Sequence, residues 1–265
     1  MSIAKDTREF APGHVFHEED ETTLYWISDG KIMYRHYPVR GADAESFRFY
    51  LGSFGKDRTH CYCTFSRLTG GVGSKFRALN YTFATDGKSV WTLGGRIKDA
   101  DAKSFVVCDD GEHYLDPETR VPHGFGKDQD RVFYYDYDGK PNWVRKADAA
   151  SFVSLNDGYF GHDRNFVFFG AATIPKAKVR QWRKLGGLYS RDDSRVYYLN
   201  REIREADCDS FKFLKSGGLF YELAKDKLHY YCSGRIIDAA EYADRRKAVQ
   251  ASRRIKKGTK ARQGT

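Results

Sequence analysis

The apolar positions of this chain fall in short runs rich in Tyr, Phe and Val, separated by polar corners, and the runs recur. Seven times an Asp is followed five residues later by an aromatic: Asp20/Tyr25, Asp57/Tyr62, Asp86/Trp91, Asp128/Phe133, Asp163/Phe168, Asp192/Tyr197 and Asp226/Tyr231. A second phrase, Ala-Asp-x-x-Ser-Phe, ends at Phe47, Phe105, Phe152 and Phe211, with altered copies at Phe76 and Trp182 and a last variant at Tyr242. Its aromatic recurs in steps of 29, 29, 47, 30 and 29 residues, so the unit is about 29 residues long. Within one unit, Val196-Tyr197-Tyr198-Leu199 reads as a strand, and a corner at Asn200-Arg201 leads into a short return strand. Asp207 stands as the N-cap of a single helical turn ending near Phe211, because its carboxylate can accept from free backbone N–H groups. Phe211 to Leu214 alternates again as a strand, and the Gly217-Gly218 turn delivers Leu219-Phe220-Tyr221 to the next Asp.

The pattern predicts a mainly β array over residues 20–242. About seven short meanders each carry a capped helical turn, preceded by a lead-in over 1–19 and followed by a tail over 243–265. Seven units suggest a propeller, yet about 29 residues is less than the roughly 40–45 of a four-stranded propeller blade, so an open solenoid is the alternative. The long step holds Cys108 to Gly124, whose Pro, Gly and charges predict a surface loop inserted between two repeats. The recurrent rings, Tyr25, Tyr62, Trp91, Phe133, Phe168, Tyr197 and Tyr231 with Phe47, Phe76, Phe105, Phe152, Trp182 and Phe211, are assigned to packing layers between repeats.

Composition changes the picture little. In 265 residues, 40% are hydrophobic and 15% aromatic, enough for a core, and the weight of Tyr and Phe favours strands. Five cysteines without a framework spacing, and an N-terminal MSIAKDTREF without an apolar leader, predict a reducing cytoplasm; no stretch is long and apolar enough to span a membrane. The net charge of +9 is mostly terminal: residues 243–265 carry nine Lys or Arg and one Asp, 9 − 1 = +8, leaving 9 − 8 = +1 for the rest. Asp238 and Glu241 form a capping box that starts a helix near residue 239. Arg245, Arg246, Lys247, Arg253, Arg254, Lys256 and Lys257 make that tail the candidate polyanion-binding segment.

Lys127-Asp128 with Phe133-Tyr134-Tyr135, Arg191-Asp192 with Val196-Tyr197-Tyr198, and Lys225-Asp226 with Tyr230-Tyr231 resemble the bacterial DKNYY repeat family. So do Ala147-Asp148 to Phe152 and Ala206-Asp207 to Phe211. Gly71 to Phe76 and Ala177 to Trp182 depart from its pattern, since neither has the capping Asp. The resemblance brings no catalytic residues, and implies at most an association with secreted toxins.

The recurrent acids, Asp20, Asp57, Asp86, Asp128, Asp163, Asp192 and Asp226, are read as Asx-turn formers, because an acid that recurs in every unit is structural where a catalytic one is needed once. His60-Cys61-Tyr62-Cys63 is the densest set of soft ligands, but on a strand the two Cys face one side and His60 the other, so no metal is assigned. Asp136-Tyr137-Asp138-Gly139 opens like a calcium loop without the closing acid and is read as a hairpin turn. No catalytic motif and no cofactor is assigned; an enzyme built on the insertion with His113 and His123 is the minor reading. The expected function is a non-enzymatic protein-binding scaffold, an immunity-type partner of a toxin. The alternative is a nucleic-acid-associated factor acting through the tail.

Overall fold

The structure is a computed structural model that describes residues 7–14, 24–114, 120–136, 139, 141–216 and 222–248. Two compact units divide the chain, residues 1–113 with 121–163, and residues 114–120 with 164–265. Each is built from small antiparallel meanders, so the protein is mainly β.

In the first unit, sheet 1 has three strands, Tyr25–Ser28, Lys31–Tyr34 and Tyr37–Pro38. Sheet 2 consists of Arg48–Phe49, Phe54–Lys56, Cys61–Cys63 and Ser66–Arg67. Sheet 3 consists of Arg77–Ala78, Phe83–Thr85, Val90–Thr92 and Gly95–Arg96, and sheet 4 of Val106–Val107, Gly124–Lys127, Val132–Tyr135 and Asn142–Trp143. Of the fifth set, Val153–Ser154 and Phe160–His162 belong to this unit, and Val167–Phe169 and Ala172–Thr173 to the other. The second unit adds sheet 6, Arg183–Gly186, Tyr189–Arg191, Val196–Tyr198 and Arg201–Glu202, and sheet 7, Lys212–Ser216, Glu222–Lys225, Tyr230–Cys232 and Arg235–Ile237. A helix over 239–248 follows.

One residue rule sets the packing. The aromatic in the third strand is paired across the ladder with a small residue: Tyr62 with Gly55, Trp91 with Ala84, Phe133 with Gly126, Tyr197 with Ser190 and Tyr231 with Ala224. The space so left receives the ring that ends the second phrase. A Cβ added to Gly55 would stand 2.6 Å from Phe47 Cζ, one on Gly161 2.5 Å from Phe152 Cζ, and one on Gly126 would meet Phe105. That phrase ring is also the wedge between repeats. Phe76 lies 6.0 Å from Phe54 of the sheet before and 5.7 Å from Trp91 of its own; Phe211 lies 5.6 Å from Tyr189 and 5.2 Å from Tyr231. In these examples a small sheet buries its apolar face against the next, which is how neighbouring repeats of an array are held together.

Three expectations need correction. Asp20/Tyr25 is not the first copy of the head motif: Tyr25 pairs with Tyr34 as Phe54 pairs with Cys63, so it sits on the strand before the head corner, and Ser28 takes the place of the head Asp. Asp20 itself lies outside the described residues, while Tyr25 is buried. The residues just after Cys108 do not lie in a surface loop between repeats. The insertion joins the first and second strands of sheet 4, and Asp109, Glu112 and His113 are buried in it. The third concerns Trp182, which is half-buried, unlike the other phrase rings. Its turn lacks the capping Asp, and the backbone N–H of Trp182 reaches back four residues to Lys178 O (2.9 Å), a wider helical turn that leads into a bulge at Lys184–Gly186.

Candidate functional site

Each head Asp sits at the corner between the second and third strands and is buried. In sheet 2, Asp57 Oδ1 accepts from the N–H groups of Thr59 (2.8 Å) and His60 (2.6 Å), an Asx turn. Oδ2 accepts from the N–H of Asp43 (3.2 Å), the cap of the helical turn before the strands, and from the Tyr62 hydroxyl (2.7 Å). Asp192 repeats the pattern with Ser194, Arg195, Lys178 and Tyr197, and Asp226 with Leu228, His229, Asp207 and Tyr231. Asp86 accepts from Lys88, Ser89 and Val72, and Asp128 from Asp130, Arg131 and Asp101; Asp163 accepts from Asp148 N–H at 2.8 Å. The donor from the preceding turn is a backbone N–H. That is why Val72 and Lys178 serve in the two units whose phrase lacks its Asp.

The phrase has its own circuit. Ser46, Ser104 and Ser210 donate their hydroxyls to Asp43 (2.5 Å), Asp101 (2.6 Å) and Asp207 (2.6 Å). The same hydroxyl oxygens accept from the N–H after the head Asp, Arg58, Gln129 and Lys227. Lys127 Nζ reaches forward to Ala149 O (2.8 Å) and Phe152 O (3.2 Å), and Lys56 Nζ to Phe76 O (3.2 Å), which gives the cation before the head Asp a part in joining repeats. Burial raises the Asp57 carboxyl, but hydrogen bonds from Tyr62, His60, Thr59 and Asp43 outweigh it and bring it down to about 2. Asp192 and Asp226 are lowered by the same balance. These carboxylates are ionised acceptors saturated by local donors.

A second polar cluster comes from the insertion. Asp109 accepts from Gly111 N–H (3.0 Å), Phe125 N–H (2.8 Å) and the Ser154 hydroxyl (3.0 Å), which ties the insertion to sheet 4 and to the next strand. Asn80 donates to Asp109 O (3.0 Å). Burial pushes the Asp109 carboxyl up to about 7 against those three donors, with the Asp110 charge adding to the rise. His113 packs on Gly158, and the His123 ring stands edge-on to Tyr159 at 5.1 Å, so both histidines gather about one corner. In the second unit Glu222 is a comparable buried acid, pushed up to about 7 by burial, with Oε2 accepting from Leu188 N–H (2.8 Å).

Cys61, Tyr62 and Cys63 are all buried, and among the described residues no three His, Cys, Asp or Glu side chains gather as a metal site. Asp136 and Gly139 lie at the corner between Val132–Tyr135 and Asn142–Trp143; residues 137 and 138 are outside the described set. In the terminal helix, Asp238 Oδ1 accepts from Glu241 N–H (2.8 Å), and Tyr242 stacks on Tyr230 at 4.2 Å. Arg245 is held by Glu241 (2.7 Å), Lys247 lies 3.7 Å from Asp244, and Arg246 is exposed. Arg253, Arg254, Lys256 and Lys257 lie outside the described residues. Among the described residues no helix is long and apolar enough to cross a membrane.

Sequence reasoning missed the small residue two before each head Asp and the buried acids of the insertion. The first was readable, since Gly55, Ala84, Gly126, Gly161, Ser190 and Ala224 share that place. No curated protein and no solved structure matches the chain. The model of the DKNYY family matches residues 189–264, from Tyr189–Arg191 of sheet 6 through sheet 7 and into the helix, and corners of the same form recur upstream in sheets 2 to 4.

Proposed function

We propose that the protein is a non-enzymatic scaffold that binds another protein, an immunity-type partner of a toxin. The observation that carries the scaffold reading is the saturation of the recurrent acids: in Asp57, Asp192 and Asp226 both carboxylate oxygens are taken by local donors, so the most repeated chemistry in the chain shapes corners. Large exposed side chains differ from repeat to repeat, among them Tyr37, Phe65, Trp143 and Leu228, the kind of variation a recognition surface uses. The toxin-directed form rests on the family resemblance. Tagged full-length chain recovered from its native cells should run through gel filtration with one protein in fixed proportion, and co-expression should relieve that protein's toxicity. Recovery of the chain alone would overturn the scaffold reading; a complex with a harmless protein would overturn the toxin-directed form.

A further inference from the structure

The cross-strand register places two cations face to face at the same position in three sheets: Arg48 with Lys56, Arg183 with Arg191, and Lys212 with Lys225. Like charges directly opposed on neighbouring strands are destabilising, so a repeated pair of this kind calls for a compensating anion. In sheet 2 the chain supplies one. Glu9 lies with Oε1 2.5 Å from Lys56 Nζ and accepts from the Tyr50 hydroxyl at 2.9 Å, and its carboxyl is lowered because Lys56, Tyr50 and Arg48 together outweigh desolvation. Its neighbour Phe10 makes a two-bond antiparallel bridge to Phe49 (2.8 and 2.9 Å), so this anion arrives on an extended segment laid along the sheet edge.

The other two pairs belong to the second unit, on Arg183–Gly186 and Lys212–Ser216, strands that lie beside one another. Arg183, Lys212 and Lys225 are exposed, and among the described residues none of the four cations has an ion-pair partner; Arg191 donates only to Asp192 O (3.0 Å). Arg183 and Arg191 both act on the Cys208 thiol, so they share one neighbourhood. The acids nearby are Asp192 and Asp226, whose oxygens are used in their corners, Asp207, which is bound to Lys227, and the exposed Asp209.

From the Glu9 arrangement we infer that the opposed cations of sheets 6 and 7 bind carboxylates of an extended acidic segment of a partner protein. This deepens the scaffold reading and rests on it. A carboxylate seated between two cations gains charge-assisted hydrogen bonds and removes their mutual repulsion, and a segment running across both strands engages the two pairs together.

The test uses the full chain and a short fluorescein-labelled peptide of alternating Glu and Ser, with the Gln/Ser peptide as control. Anisotropy should show binding of the Glu peptide alone, weakening as NaCl rises from about 20 to 200 mM. Either double substitution, Arg183→Gln with Arg191→Gln or Lys212→Gln with Lys225→Gln, should weaken it roughly tenfold or more. Lys31→Gln with Lys88→Gln, two exposed cations of the first unit, should leave it unchanged, and Asp209→Asn should tighten it. Circular dichroism and the unfolding midpoint identify any variant that fails to fold, and the Asp209→Asn arm does not depend on removing a cation. Absence of binding, full binding by the folded quadruple variant, or stronger cation-dependent binding of a labelled oligothymidine would overturn the proposal. A native partner retained by that quadruple variant would overturn this site while leaving the scaffold reading standing.

Discussion

The head Asp is the residue on which a repeat closes. It joins its own corner to the preceding turn through Oδ1 and Oδ2, so replacing it leaves several buried N–H groups without acceptors, each costing roughly 1–3 kcal/mol. Asp128→Ala should therefore destabilise by about 3 kcal/mol or more in denaturant unfolding, and an effect under about 1 kcal/mol would show that water replaces the carboxylate readily. Tyr231→Phe removes the 2.7 Å bond to Asp226 and a long 3.4 Å contact with His229 Nδ1, and should cost about 1.5–3 kcal/mol, since the acceptor is charged. The small residue opposite each ring is tested by Gly126→Val, which overpacks the site of Phe105 and should cost about 1–3 kcal/mol with near-UV circular dichroism disturbed.

At the scale of the element, the last two strands of sheets 1, 2, 6 and 7 are joined by two-residue corners whose first residue is left-handed: Arg35 (φ 53°), Thr64 (φ 54°), Leu199 (φ 55°) and Ser233 (φ 48°). This backbone matches the twist of paired strands but is strained for side chains other than Gly and Asn, most of all for a β-branched one. Thr64→Gly should raise the unfolding midpoint, by up to about 1 kcal/mol in stability, and a loss would show that the Thr64 hydroxyl bond to Cys63 O (2.6 Å) outweighs the strain. The last element among the described residues is a helix where another repeat would begin, and Tyr242 stands in for the phrase ring. Its stack on Tyr230 covers the end of sheet 7, so Tyr242→Ala should lower stability by about 1–2 kcal/mol.

Across the whole molecule, two sets of acids give stability its pH dependence. Asp57, Asp192 and Asp226 have folded values below the ordinary carboxylate range, so their contribution is present near neutrality and is lost as pH falls below about 4 toward 2. Asp109 and Glu222 have values raised to about 7; their contribution is complete below about 4 and is lost as pH rises through 7. The unfolding midpoint should accordingly peak between about pH 4 and 5 and decline toward pH 8. Asp109→Asn should flatten the decline, because an amide in that place does not ionise. A midpoint rising steadily from pH 5 to 8 would refute this account of the buried acids.

The periodicity, the mainly β class, the capped turns and the burial of the rings were set by residue order, because each depends on side chains a few positions apart and recurs until chance is excluded. Phase was also legible: Met33, and not Tyr25, stands 14 residues before its phrase ring, as Tyr62 and Trp91 do. Tertiary structure decided the rest. Whether Asp109 and His113 face solvent or the interior depends on which strands the insertion joins, and whether Arg183 meets Arg191 depends on register. A strand pattern specifies which residues share a face, but only pairing across the ladder specifies what stands opposite, and at the buried acids and the paired cations that opposition sets the electrostatics.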